Sequence, residues 1–467
     1  MTKYERHTLQ YQDATFSPSK IIASFRKQNQ DGYILDINNE TTLEKTNLIY
    51  LGIHPKLKLT YRDGVLSTND TKIKTDLQDY LEDLMSEYEF DDTSQPLPFS
   101  GGLLGYFAYD YVKYNIPHYP KVNNPFGLDD AAFMLFTEVI GFDPSTNQVT
   151  LIQNLPVGES DTLTELKQEL TDLQAEFDGF PTLEIAKLLI PKYDKPTYEK
   201  LIHKTIEHVY KGDIFQMILS NPLQGEANGD LLALYQQLTG TYHFYFTLGD
   251  FQTATASPET LLRKIDTNLA TFPLAGTRRR GKDTAEETKF ENELHTDPKE
   301  IAEHNMLVDL GRNDLGAVSQ FNSVKVTEHM VLKKYKQVMH LASTVESQIA
   351  PDKTGLDALN SVFPAGTLSG APKVSAINII GDLEQQHRGI YGGTFGYLDF
   401  NGDCDFAIGI RLAHKKGHHL TVHSGAGIVA DSIPDNEYQE CFNKSRAILN
   451  GLRQATNLEV LNYDSID

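Results

Sequence analysis

The sequence predicts an α+β protein, with large antiparallel sheets and helices packed outside them. Three observations carry that prediction. Roughly the first 155 residues read as strands and turns. The stretch from about 385 to 430 reads as an antiparallel meander, turning at Asn401-Gly402, the strongest short hairpin signal, and again near Lys416-Gly417. Helical spacing of apolar residues lies before and after that meander.

Taken in order, Leu57-Lys-Leu-Thr-Tyr with the turn Asp63-Gly64 predicts a hairpin, as does Glu138-Val-Ile-Gly-Phe before Asn147-Gln-Val-Thr-Leu-Ile. A charged helical stretch runs from about Ser160 to Phe177. The Pro/Lys-punctuated segment Pro191-Lys-Tyr-Asp-Lys-Pro196 marks a boundary, giving an N-terminal subdomain over 1–190, a second over 191–456 and a tail over 457–467. Tyr198 to Tyr210 has helical spacing and stops at Gly212, a C′ glycine.

Composition bounds the function. The chain has 467 residues, 40% of them apolar, with no low-complexity tract or internal repeat, as expected of a folded globule. A formal charge of -22 disfavours nucleic acid, whose phosphates need a basic footprint. Two cysteines, Cys404 and Cys441, exclude a disulfide scaffold and fit a reducing compartment. The polar start lacks the apolar core of a signal peptide, and no apolar run approaches a membrane span. A cytoplasmic protein with no membrane or nucleic-acid partner is expected.

Candidate chemistry begins at Asp297-Pro-Lys-Glu300-Ile-Ala-Glu303. Asp297 suits the N-cap, Pro298 suits N1, and Glu300 at N3 completes a capping-box-like arrangement. Ala302, Met306 and Leu310 are expected as the buried stripe, with Glu300 and Glu303 on one face beside it. Ser432-Ile-Pro-Asp435 reads as a second cap signature, before a stripe of Tyr438, Phe442, Ser445, Leu449 and Leu452; Glu437, Glu440 and Lys444 share a face. Two acidic pairs could meet around a hard cation such as Mg²⁺; equally, they are caps and solvated flanks. The loop Pro364 to Lys373, with Thr367, opens a helix whose N–H groups suit a carboxylate, or is a plain turn. Ser424-Gly425-Ala426-Gly427 would let backbone approach a ligand. Arg411 among apolar neighbours calls for an anion, and His340 is either a satisfied core histidine or a working one.

Together with Gly101-Gly-Leu-Leu-Gly-Tyr-Phe-Ala-Tyr-Asp110, Gly212-Asp-Ile-Phe-Gln216, Ser257-Pro-Glu259, Ala275-Gly-Thr-Arg278 and Leu307-Val-Asp-Leu-Gly-Arg-Asn-Asp-Leu-Gly316, these segments resemble the chorismate-utilising enzymes, densely over about 195–455. The resemblance implies an αββα sandwich. It further implies Mg²⁺ held by Glu303 and Glu440 with Glu300 and Glu437 nearby, and Tyr391 and Arg411 gripping the enolpyruvyl carboxylate. Gly425, Ala426 and Gly427 would meet the ring carboxylate, with Lys444 approaching it. Gln216, Ala275, Gly276, Thr277, His340 and Thr367 would line the ring. Glu259 matches the general acid that protonates the departing C4 hydroxyl, since a carboxyl in an enclosed pocket can hold its proton. His340 would serve the elimination of pyruvate.

Within that family, a lysine base activates water where this chain has Gln216, and a lysine nucleophile often stands where it has Ala275. Glutamine cannot deprotonate water and alanine cannot attack. The resemblance therefore implies direct amination at C2 by ammonia, giving anthranilate, the first committed step toward tryptophan. The aminodeoxychorismate branch, and a catalytically silent acidic binding protein, are the competing readings. No glutaminase domain is left over in the chain, so a glutamine amidotransferase subunit is the expected ammonia source. Tryptophan feedback, common in the family, would be read at segments aligning with Ile34-Leu-Asp36-Ile37 and Gly240-Thr-Tyr242-His243-Phe244; both depart from the family pattern, and weak inhibition is expected.

Overall fold

Turns that only a few residue types can make decide where the strands double back. Asp63 and Gly64 hold φ of 51° and 78°, the left-handed geometry of a tight two-residue hairpin, and join Leu57–Arg62 to Val65–Ser67. A computed structural model describes residues 2–40, 45–69, 71–91, 94–334 and 338–462. It resolves into two compact units. Unit 1 comprises Met1–Pro258, Leu368–Asn401 and Ile408–Asp467; unit 2 comprises Glu259–Thr367 and Gly402–Ala407. This division follows compactness and runs along different lines from the sequence boundary near 190. The strand Leu183–Pro191 pairs antiparallel with Leu223–Gly229 across that boundary.

Unit 1 contains a 12-stranded sheet whose central strands, Phe251–Ser257, Tyr242–Leu248, Gly32–Glu40 and Lys45–Gly52, pair antiparallel in that order. On its outer face lie the helices Pro18–Lys27, Leu163–Ala175 and Pro434–Thr456. Ile22, Phe25, Leu166, Leu170, Ile448 and Leu452 of these helices join Ile34, Leu51, Leu151, Ala413 and Val422 of the sheet in one apolar core. On its inner face the sheet meets the strands Gly102–Phe107 and Thr394–Asp399, which pair with each other. The contact is aromatic: Tyr106 lies 5.1 Å from Phe251, and Phe244 stacks on Phe395 at 4.8 Å. Helices outside and sheet against sheet realise the expected sandwich within this unit.

The helix Lys195–Lys211 forms as its sequence predicts, ending at Gly212 with φ 81°. The expected meander, however, is not one sheet. Leu412–Lys416 and His419–His423 pair across the Lys416-Gly417 turn within the 12-stranded sheet. Thr394–Asp399 belongs with Gly102–Phe107, and Gly425–Ile428 pairs with Gln216–Ser220 in a separate 3-stranded sheet. Hairpin signals specify a local turn, not which sheet the next strand joins. Between them Arg411, a non-glycine at φ 52°, redirects the chain.

Unit 2 builds a sheet from Thr260–Ile265, Asn268–Thr271, Val338–Gln348 and Leu274–Arg279, with Lys325–Lys334 added to Val338–Gln348. The helix Pro298–Gly316 lies against it. Asp297 caps this helix as expected, accepting from the Lys299 and Glu300 N–H groups. Two details differ from the sequence reading. The Asp297 N–H donates to the Glu293 carbonyl, so Glu300 has no reciprocal capping bond to make; its carboxylate pairs with Arg278 instead. The buried face is His304, Leu307, Val308, Gly311 and Leu315, whereas Ala302 is exposed and Met306 and Leu310 are half-buried. A histidine that hydrogen-bonds to Ser343 Oγ at 2.6 Å starts the true stripe, which an apolar count misses.

Candidate active site

In unit 1 the short strand Gln216–Ser220 runs antiparallel to Gly425–Ile428, with Ser220 opposite Gly425 and Ile218 opposite Gly427. Gly425 tolerates no side chain, because a Cβ there would stand 2.7 Å from the Leu219 carbonyl and 2.9 Å from the Tyr391 hydroxyl. A Cβ on Gly427 would lie 3.6 Å from the Gln216 amide nitrogen. Tyr391, Gln216 and the Gly425–Gly427 backbone are thus one wall, and the two side chains are buried. Burial holds the Tyr391 phenol protonated by raising its pKa.

The helix Pro434–Thr456 adds the next members. It begins at Ile433 with Pro434 in the first turn and no side-chain cap; the Ser432 hydroxyl accepts instead from the Val429 N–H, so the sequence cap assignment fails. Glu437, Glu440 and Lys444 share a half-buried flank as their spacing predicts. Lys444 Nζ lies 2.6 Å from Glu440 Oε1. Arg411 Nη1 donates to the Lys444 main-chain carbonyl at 2.9 Å, which ties the strained turn to this helix.

In unit 2 the residues expected to move protons each make a contact within the unit. Thr367 Oγ1 donates to Glu259 Oε1 at 3.2 Å. His340 Nδ1 lies 3.0 Å from the Gly276 carbonyl. A carbonyl only accepts, so Nδ1 carries the proton and the neutral ring's basic lone pair is on Nε2. Gly276 is the extra residue of a bulge, since Ala275 pairs with Leu341 and Thr277 with His340. Its φ of 66° suits glycine, and a Cβ there would press on Glu300 Oε2 at 3.0 Å. Glu300 in turn pairs with Arg278 at 3.0 Å, and Glu303 is half-buried one turn along. The Thr277 backbone is part of this strand; its side chain lies outside the described residues.

Among the described residues no group of three or more His, Cys, Asp or Glu side chains gathers as a ligand set. Mg²⁺ takes few carboxylates and completes its shell with water and ligand oxygens, so a single half-buried carboxylate such as Glu303 or Glu440 is of the donor type it uses.

Several residues that hold the wall in place escape a sequence reading. Behind the unit 1 wall, Arg388 is fully buried and donates to Glu384 (2.6 and 2.9 Å), the Leu368 carbonyl and the Ile218 carbonyl. Glu384 also accepts from the Ser220 N–H. His423 stacks beneath Tyr391. The opposite charges of Glu384 and Arg388, four apart, were the available signal.

The sandwich is the fold of a class of enzymes that handle chorismate. The chain belongs to the chorismate binding enzyme family, whose model matches residues 31–450. Anthranilate synthase component 1 of Lactococcus lactis subsp. lactis is 36% identical over 416 residues, spanning 87% of this chain and 91% of the relative. The crystal structure of anthranilate synthase component I from Streptococcus pneumoniae superposes with a TM-score of 0.77 at 32% identity, covering 88% of this chain and 94% of that one. The menaquinone-specific isochorismate synthase of Escherichia coli shares the fold at a TM-score of 0.70, with 19% identity over 97% of this chain and 95% of its own. Among the described residues no helix is long and apolar enough to cross a membrane.

Proposed function

We propose that this chain converts chorismate and ammonia to anthranilate, pyruvate and water, in the cytoplasm, as the large subunit of an anthranilate synthase. The observation that carries the choice of nucleophile is Gln216, buried with its amide over Gly427. A carboxamide has no basic lone pair with which to activate water, whereas ammonia brings its own. Ammonia attacks ring C2, the double bond shifts, and the C4 hydroxyl departs as water after taking a proton from Glu259. Thr367 orients that carboxyl through Oε1. His340 Nε2 then removes the C2 proton as pyruvate leaves, and the ring becomes aromatic. Tyr391 and Arg411 hold the enolpyruvyl carboxylate, with the Gly425–Gly427 backbone and Lys444 toward the ring carboxylate.

Glu303 and Glu440 would hold Mg²⁺, with Glu300 and Glu437 beside them, and the ion would neutralise and orient the ring carboxylate. Ammonia would come from a glutamine amidotransferase subunit. Cys404 and Cys441 are both buried, and burial pushes each thiol up to about 12, the wrong direction for a glutaminase nucleophile. Burial, more than the neighbouring acids, sets that shift.

One assay tests the whole reading. Pure chain with chorismate, Mg²⁺ and ammonium is expected to release ortho-aminobenzoate, identified by fluorescence and chromatography, and to ignore glutamine. Accumulation of a 4-amino product would move the protein to the aminodeoxychorismate branch. Glutamine-dependent turnover by the pure chain would remove the partner subunit from the scheme.

A further inference from the structure

We propose that His423 is a positioning residue for chorismate binding: it holds the Tyr391 ring from beneath, and is itself held by Ser220. The inference rests on Tyr391 being part of the chorismate grip. Tyr391 and His423 stack with centroids 4.2 Å apart and planes 15° from parallel. His423 ends the strand His419–His423, two residues before Gly425, whose missing side chain makes room for the Tyr391 hydroxyl. His423 Nε2 lies 2.9 Å from Ser220 Oγ. Ser220 is anchored in turn, because its N–H donates to Glu384 Oε1 at 2.7 Å and Glu384 is clamped by the buried Arg388.

The chain of contacts therefore runs from a buried ion pair to the ring that carries the Tyr391 hydroxyl. Each link removes a freedom that Tyr391 would otherwise have. A tyrosine side chain rotates about two bonds, and its hydroxyl sweeps an arc of several ångström unless something flat blocks one face. The imidazole supplies that flat face. It does so uncharged: burial first, then the nearby Arg388 guanidinium, drives its pKa well below the ordinary histidine range. A neutral ring can stack on a phenol without burying a second cation beside Arg388. Phenylalanine could reproduce the stack but not the bond to Ser220.

The test is a double-mutant cycle on chorismate KM, driven by ammonium, with kcat and the ammonium KM measured alongside. His423→Ala is expected to raise chorismate KM about tenfold, the worth of one hydrogen bond to a charged group, with kcat and ammonium KM little changed. His423→Phe, which keeps the flat face, is expected to recover most of that loss. Tyr391→Phe lacks the hydroxyl being positioned, so adding His423→Ala to it is expected to cost little more. Ser220→Ala, which leaves His423 in place but unheld, should raise KM by less than His423→Ala does and keeps the test alive if that variant misfolds. A His423→Ala effect of full size in the Tyr391→Phe background overturns the positioning role while leaving Tyr391 as the grip. Tyr391→Phe with unchanged KM removes Tyr391 from the grip, and the inference with it.

Discussion

The residues expected to bind and to react are held differently in unit 1 and in unit 2. In unit 1, Gln216, Tyr391, Gly425 and Ala426 are buried, and the strand beneath them is bolted to a fully buried Arg388–Glu384 pair. In unit 2, Glu259, Glu300, Glu303, His340 and Thr367 are all half-buried, and the ion pair Glu300 makes with Arg278 is open to solvent on one side. The contrast fits the proposed tasks rather than the units as such, since Glu437 and Glu440, proposed for the metal site, are half-buried in unit 1 as well. A grip gains from rigidity, because orientation prepaid at folding is not charged again at binding. A proton donor or a metal ligand must exchange partners during turnover, so a half-buried carboxylate with a replaceable partner serves better.

The largest effect should come from neutralising a carboxylate of the proposed metal site, Glu303 in unit 2 or Glu440 in unit 1. Glu303→Gln and Glu440→Gln are expected to abolish measurable turnover while leaving the thermal midpoint near that of the parent, since both side chains are half-buried. Activity in the parent that survives exhaustive chelation sinks the Mg²⁺ assignment. Next in size is Glu259→Gln. General acid catalysis contributes about 10²–10⁴-fold, so kcat should fall in that range with chorismate binding retained. A fall under tenfold rejects Glu259 as the acid.

Stability should separate two pairs that both lie in unit 1. Glu384–Arg388 and Glu440–Lys444 are both four-residue pairs of opposite charge, yet one is buried and the other half-open. Arg388→Ala strands a buried carboxylate, and breaking such a pair costs about 3–5 kcal/mol. Lys444→Ala should cost no more than about 1 kcal/mol, as solvent-screened pairs do. Urea unfolding of the two variants reads both numbers. Equal losses would mean that the buried pair is compensated in a way the structure does not reveal.

The same contrast explains what could be read from sequence. Asp63-Gly64, Gly212, and Asp297 before Pro298 were legible because each acts within a few residues of itself. Glu437, Glu440 and Lys444 share a flank as spacing dictates, and Gln216, Tyr391 and Gly425, which the resemblance named for different parts of the ligand, lie along one wall. Non-local facts were not legible. The stripe of the Pro298–Gly316 helix was misphased because His304 is buried by Ser343, 39 residues away. The meander was misassigned because sheet membership depends on partners such as Gly102–Phe107. Glu384 and Arg388 look like an ordinary helical pair, but the helix ends at Gln385, left-handed at φ 50°, so the pair straddles a cap and turns inward.

The smallest effect concerns regulation in unit 1. The two segments that align with the family's tryptophan-sensing motifs are cross-strand neighbours: Asp36 stands opposite His243, and Ile37 opposite Tyr242. An amino-acid effector needs an acceptor for its ammonium and a slot for its indole. His243 offers neither, because its Nε2 donates to the Tyr235 carbonyl at 2.9 Å and its ring stacks on Tyr235 at 3.7 Å. Burial pushes it down to about 4, so it is neutral across the working range. Ile37 cannot replace a hydroxyl, and one lost hydrogen bond to a charged group weakens binding about tenfold or more. Asp36 alone remains, and burial raises its carboxyl to about 6. A raised acid is protonated below that value, so whatever hold it has on an ammonium group is present above pH 6 and lost as pH falls through it. Tryptophan is therefore expected to inhibit weakly at pH 8 and less at pH 5.5, and Asp36→Asn should erase the difference. Inhibition at low micromolar tryptophan, in an ammonium-driven assay of the pure chain, would show that the effector site is built from other residues.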